Sequence, residues 1–260
     1  QEAVVKKKGL FFSFLLFILC SFNLLAENFP QKASKIEDFI PKGWKSIVKK
    51  EGDLNNDNIK DVVLVIQKDD PDNAVPLFNA YEALIDIIDA NQMIILVLFK
   101  DKNSKYTLVA KNDKNFIVSP GYASEEGLET LDSPDYDDNL SKAVTIKNNT
   151  LRIFTFAELT RSSGSSIYIF RYQNNRFELI GLENQNIFAN AEYIDTYNYS
   201  FNFSTKKLKI HNLREKLESD MRKEEKIEKK LNIKESYVLD TMLETTGVDI
   251  LDKYAHEIKK

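Results

Sequence analysis

The chain has 260 residues, 43% of them hydrophobic and 29% charged, with a formal net charge of −4 at pH 7. That is enough apolar material for one sizeable core, and the acidic balance excludes the concentrated positive field that nucleic acids or anionic membranes would need. The single cysteine, Cys20, excludes internal disulfides and zinc–thiolate sites from the rest of the chain.

Lys6, Lys7 and Lys8 precede an apolar run from Leu10 to Leu19, and Leu24-Leu25-Ala26 follows a polar break. The pattern predicts a signal peptide over 1–26, cut after Ala26, and a mature protein in the periplasm or outside the cell. The apolar run is shorter than the roughly 20 residues of a bilayer span, so no membrane attachment is expected after cleavage. Leu19 stands where a lipoprotein would need a small residue before its cysteine. Glu27 to Lys35 reads as a polar lead-in, and the ordered domain is expected from Ile36, with Trp44 as a packing residue.

The domain over 36–210 reads as strands joined by polar turns. Asp61 to Gln67 (DVVLVIQ) is a continuous β-branched run of strand length and predicts a buried strand. Met93–Phe99 and Tyr106–Ala110 predict one hairpin, and Ala143–Ile146 with Leu151–Phe156 a second. Ser166–Tyr172 and Arg176–Gly181 predict a third, and Tyr197–Phe203 with Leu208–Ile210 a fourth. Asparagines in the turns tolerate the left-handed backbone that tight hairpins need. Asn79–Asn91 departs from this pattern: Tyr81, Leu84, Ile85 and Ile88 recur at helical spacing, predicting a short helix or an irregular insertion.

From His211 to Lys260 the expectation is a charged helical tail. Asn212 and Glu215 resemble a capping box, and Leu213, Leu217, Met221, Ile227 and Leu231 form a narrow apolar stripe. Charges alternate through Arg222-Lys223-Glu224-Glu225-Lys226. A second helix is expected to end near Gly247, with a last turn around Ile250, Leu251 and Tyr254. The fold class is therefore mainly β: antiparallel hairpins in a meander, propeller-like or sandwich, with a C-terminal α-helical tail.

Most of the chemistry lies in Asp53-Leu54-Asn55-Asn56-Asp57-Asn58-Ile59-Lys60-Asp61. Oxygen-bearing side chains at alternate positions of a tight loop converge on a hard cation, so Asp53, Asn55, Asp57 and Asp61, with the Ile59 carbonyl, are the candidate calcium ligands. Asn58 stands where such loops place glycine and tolerates positive φ. Leu64 occupies the place of an EF-hand's bidentate glutamate and excludes that motif. The alternative is an Asx-rich hairpin held by its own side-chain-to-backbone bonds, without an ion.

Gly52 to Val65 resembles the FG-GAP or VCBS-type loop, in which a calcium-binding turn joins two antiparallel strands of a propeller blade. Together with Pro41-Lys42-Gly43-Trp44 and the Phe170–Asn174 and Phe177–Gly181 segments, it is similar to a group of exported bacterial proteins without assigned activity. The resemblance covers about Ile36 to Ile210 and implies export and β-architecture. The chain carries one copy of the loop, whereas propeller relatives repeat it.

A second acidic cluster, Asp132-Ser133-Pro134-Asp135-Tyr136-Asp137-Asp138, follows Glu125, Glu126 and Glu129. Paired carboxylates there suit glycan hydrolysis or a further metal site, against the plainer expectation of an exposed acidic loop. His211 and His256 are remote in sequence from Ser163 and Ser165, so no hydrolase triad assembles. Arg161–Ser166 lacks the lysine of a phosphate loop. The expected function is that of an exported non-enzymatic structural or ligand-binding protein with a calcium-stabilised hairpin and a protein or glycan partner. The alternative is an envelope glycan hydrolase using the 132–138 carboxylates.

Overall fold

The computed structural model describes residues 28–78, 84–126, 128–135, 137 and 139–255. The segment expected to be a signal peptide, His256, Tyr136 and Asp138 lie outside the described residues. The elements are β1 (Lys32–Ala33), β2 (Trp44–Gly52), β3 (Asp61–Lys68), β4 (Ala74–Phe78), β5 (Leu84–Asp89), β6 (Met93–Lys100) and β7 (Tyr106–Asn112). They continue with α1 (Pro120–Glu126), β8 (Thr130–Leu131), β9 (Val144–Lys147), β10 (Thr150–Leu159), β11 (Ser162–Gln173) and β12 (Arg176–Ala189). The last are β13 (Tyr193–Asn202), β14 (Lys207–Lys216), β15 (Arg222–Lys230) and α2 (Thr246–Tyr254).

Two antiparallel sheets dominate. One has five strands in the order β1-β7-β6-β3-β2; the other has eight, in the order β15-β14-β13-β12-β11-β10-β8, with β9 also on β10. From β10 to β15 the larger sheet is an uninterrupted meander, and neither sheet closes into a propeller. β3 is buried at every residue but Lys68. Val63 and Val65 face the core shared with the larger sheet, while Val62, Leu64 and Ile66 join a second cluster under Ile36 and Phe39. A strand buried on both faces has no polar side, which accounts for its continuous apolar run. The four expected hairpins all form. Asn148-Asn149 and Asn174-Asn175 sit at positive φ (51°, 55°, 53° and 59°), the backbone of two-residue hairpin turns.

The two sheets share one core. Phe99 of β6 stands edge-on to Tyr172 of β11 with ring centroids 4.7 Å apart. The chain end is tied back to the first sheet through Asn112, whose buried amide donates to the carbonyls of Leu239 (2.6 Å) and Met242 (2.9 Å). Nearby, the Lys111 N–H donates to Asp240 Oδ1 at 2.9 Å. Helix α2 then buries Gly247, Ile250, Leu251 and Tyr254, one face at helical spacing. A Cβ on Gly247 would stand 2.2 Å from the Tyr168 hydroxyl, so glycine lets the helix approach the sheet.

The charged tail differs from the helix expected over it. The larger sheet runs past Ile210: Lys207–Lys216 and Arg222–Lys230 are its last hairpin, and among the described residues of the tail helix is confined to Thr246–Tyr254 and a 3-10 turn at Leu239–Thr241. Alternating Lys and Glu serve a strand as well as a helix. Here they pair between neighbouring strands, with Lys207 Nζ 2.8 Å from Glu228 Oε1 and His211 Nε2 2.6 Å from Glu224 Oε1. The Leu213–Leu217–Met221 stripe is broken by a turn at Glu218 (φ 60°), which leaves Leu217 and Met221 exposed. Leu84–Asp89, expected to be helical or irregular, is a strand paired with β4, and 79–83 lie outside the described residues. The short helix α1 was not expected.

Candidate functional site

The 53–61 loop joins β2 to β3 and folds around Asp53. Asp53 Oδ1 accepts from the N–H groups of Asn56 (2.7 Å) and Asp57 (3.3 Å), and its Oδ2 accepts from Asn58 (2.9 Å). Asn55 Oδ1 accepts from the Asp57 N–H at 3.0 Å, and Asp57 Oδ1 from the Ile59 N–H at 2.7 Å. Asn56 and Asn58 take the positive φ that this path requires, 66° and 65°. Asp61, fully buried, accepts from the Leu54 N–H (2.9 Å) and the Lys100 N–H (3.1 Å), which ties the loop to β6. Burial above all, reinforced by the Asp57 and Asp53 charges, pushes its pKa up to about 6.

By type and charge these donors suit a hard divalent cation: three carboxylates, an amide oxygen and the Ile59 carbonyl, with no cationic side chain paired to them among the described residues. Asp53 Oδ2, Asp57 Oδ1 and both Asp61 oxygens each accept one N–H bond and keep a lone pair, whereas Asp53 Oδ1 accepts two. The loop is nonetheless closed by its own hydrogen bonds, and no group of three or more His, Cys, Asp or Glu stands in a metal-holding arrangement among the described residues.

The second acidic cluster does not converge. Asp135 and Asp137 are exposed and both pair with Lys142, and Asp137 also accepts from the Ser133 hydroxyl at 2.6 Å. The Lys142 contact, then the Ser133 hydroxyl, hold the Asp137 carboxyl low, at about 2. Asp132, Asp135 and Asp137 line neither of the two cavities described below, and Lys142 pairs with both Asp135 and Asp137, so among the described residues this loop assembles no acid/base pair. His211 projects from the face of β14 opposite Ile210 and Asn212, and the Ser165 in its row lies three strand spacings away, roughly 14 Å, so the two do not meet.

A large concave feature lies elsewhere, over the core face of the eight-stranded sheet. It is a cleft of about 860 Å³, walled by β10–β15, by the Leu128–Glu129 segment and by α2. Its floor continues the core. Thr155, Ser166 and Asn184 are register partners on β10, β11 and β12, and all three are buried. The Asn186 amide donates to Asn184 Oδ1 (2.9 Å), the Asn184 amide to Ser166 Oγ (3.0 Å), and the Ser166 hydroxyl to Glu129 Oε1 (3.1 Å). The Thr155 hydroxyl donates to Glu129 Oε2. A directional chain of hydrogen bonds therefore ends on one carboxylate.

Burial raises the Glu129 pKa against the opposing effect of the two hydroxyls. Burial, and next the Glu129 charge, raise the neighbouring Tyr168 phenol. Gly164 leaves room beside the carboxylate: a Cβ there would stand 3.1 Å from Asn186 Oδ1 and 3.4 Å from Glu129 Oε1. Past this floor, β13 presents Tyr197 and Tyr199, and Phe188 of β12 stands edge-on to Tyr197 at 6.0 Å. A smaller hollow of about 230 Å³, lined in part by Arg152, Gly181 and Asn202, lies on the opposite face.

Sequence reasoning counted Glu129 only as part of an acidic stretch and passed over the cleft. The available signal was the change along successive inward positions, from Ile153 to Thr155 and from Tyr168 to Ser166 to Gly164. Compared with known proteins, the chain matches no family model, no curated protein and no solved structure.

Proposed function

We propose that this is an exported, non-catalytic protein that binds a ligand in the cleft over its eight-stranded sheet, with the Asp53–Asp61 hairpin as a structural clip stiffened by calcium. The observation that carries the reading is the buried row Thr155, Ser166 and Asn184, hydrogen-bonded to Glu129 beneath about 860 Å³ of open space. Buried polar groups cost stability relative to well-packed apolar ones unless every partner is in place. A row that only filled a core would have no need of them. The volume is that of a small-molecule site, and apolar walls around a few converging polar groups are its usual composition.

Calcium would be held by Asp53, Asn55, Asp57, the Ile59 carbonyl and Asp61. It would supply the countercharge that the crowded carboxylates lack. Export rests on the Lys6–Ala26 pattern. The non-catalytic part rests on the exposed, Lys142-paired acidic loop and on the outward-facing His211.

Titration with Nile red, a neutral apolar dye, tests the site. The expected result is saturable one-to-one fluorescence enhancement that is lost in Asn186→Trp, which fills the cleft, while the melting temperature is retained. No saturable binding by the native chain, or binding unaffected by the tryptophan, would remove the reading.

A further inference from the structure

The cleft is charged in one sense only. Glu129, Asp195, Glu225, Glu244 and Asp252 line it, and no lysine or arginine does among the described residues. Asp195, Glu225 and Asp252 already have partners. Asp195 takes a two-pronged bond from Arg214 (2.6 and 2.7 Å), and Glu225 accepts from the Asn212 amide at 3.2 Å. Glu129 is different: its hydrogen bonds come from neutral hydroxyls, and it has no ion-pair partner among the described residues. A carboxylate offers about four acceptor sites, so about two remain open.

The aromatic side chains stand at a fixed reach from that carboxylate. Ser166 pairs with Asn184 and Asn184 with Tyr199, so Tyr199 lies two strand spacings, roughly 10 Å, from the strand that carries Ser166. Tyr197 stands beside it on the same face. Electron-rich ring faces attract cations, and their bodies bury apolar surface. Between carboxylate and rings, Asn184 bonds to Ser166 and Ser166 to Glu129, which leaves them few free groups for a polyhydroxylated ligand.

Resting on the cleft reading above, we propose that the ligand is an organic cation, an ammonium group on an apolar body about 10 Å long. The ammonium meets Glu129, and the body lies across Asn184 and Asn186 toward Tyr197 and Tyr199. The other carboxylates of the wall repel anions and disfavour neutral competitors only weakly, so charge supplies the selectivity.

Isothermal titration of the full chain with three probes of equal length tests this: 4-phenylbutylammonium, 4-phenylbutanol and 4-phenylbutyrate. The ammonium is expected to bind about tenfold more tightly than the alcohol, and the carboxylate more weakly than either. Raising the salt from about 50 to 500 mM should weaken the ammonium alone, since screening acts on charge. Glu129→Gln, which keeps an acceptor for the hydroxyls, should reduce the ammonium-over-alcohol preference to about twofold or less. If the alcohol binds as tightly as the ammonium, the cation inference falls and the cleft reading stands. If none of the probes binds, the cleft reading itself falls. A preference that persists in Glu129→Gln overturns the role given to Glu129.

Discussion

Ile153, Tyr168, Leu182, Phe201 and Leu208 cross five strands of the large sheet as one row; Thr155, Ser166, Asn184, Tyr199 and Ile210 cross the same strands two residues further along. Both rows face inward, and both begin in buried residues on β10 and β11. The first belongs to the core shared with the five-stranded sheet and is apolar apart from one phenol. The second is polar across its first three strands and needs Glu129, from outside the meander, to complete its hydrogen bonds. Strand alternation sets which positions face inward. What covers them decides which side chains they hold.

The largest expected effect comes from emptying the first row. Leu182→Ala should cost about 2–5 kcal/mol in denaturant unfolding, because its neighbours cannot collapse into the space. Asn186→Ala, beside the second row, should stay within about 0.5 kcal/mol. Equal costs would mean that the cleft is packed as tightly as the core and that the contrast is false.

Next is the tie that holds the chain end near the cleft. Asn112→Ala removes donors to Leu239 and Met242 and the acceptor for the Lys114 and Phe116 N–H groups. The expected loss is about 1–3 kcal/mol, with faster amide exchange at 239–254 than in β3. Uniform exchange across both regions would show that the chain end is not a separate unit.

Smaller, and dependent on pH, is the effect of Asp61. Its folded pKa lies above the ordinary carboxylate value, so the native state holds its proton longer than the unfolded chain. Stability from this group is therefore full below about pH 4, falls as pH rises to about 6, and is level above that. Glu129 shifts in the same direction, so the difference between the native chain and Asp61→Asn isolates the loop. Millimolar calcium should abolish the fall, because a bound cation favours the charged form. A slope indifferent to calcium would leave the loop as a hairpin held by its own bonds. Least affected should be the edge strand: Glu228→Gln breaks an exposed ion pair with Lys207 and should leave the melting temperature unchanged.

The sheets were more legible in the sequence than the site. Asp61–Gln67 and Met93–Phe99 announce buried strands because both of their faces are covered, and paired asparagines mark hairpin turns because few other residues accept that backbone. The 211–230 hairpin was hidden because Lys/Glu alternation satisfies a helix through its own turns and a strand through its neighbours, and only the partner strand decides between them. Glu129 was hidden for a related reason: it acts 26 residues from Thr155 and 37 from Ser166, separations that no local pattern encodes. The calcium-type loop stood out because its candidate donors lie within nine consecutive residues.

The clamp between Asn112 and Leu239 spans 127 residues, whereas each hairpin of the meander closes over a few. Contacts between distant parts of a chain carry the larger loop-closure cost and tend to form later. We predict that the meander acquires its pairing first and that α2 docks over the cleft last, so that in pulse-labelled refolding the 246–254 amides gain protection after those of β11 and β12. Competence to hold a ligand would then report that both sheets and the chain end have come together, and early protection of α2 would overturn that order.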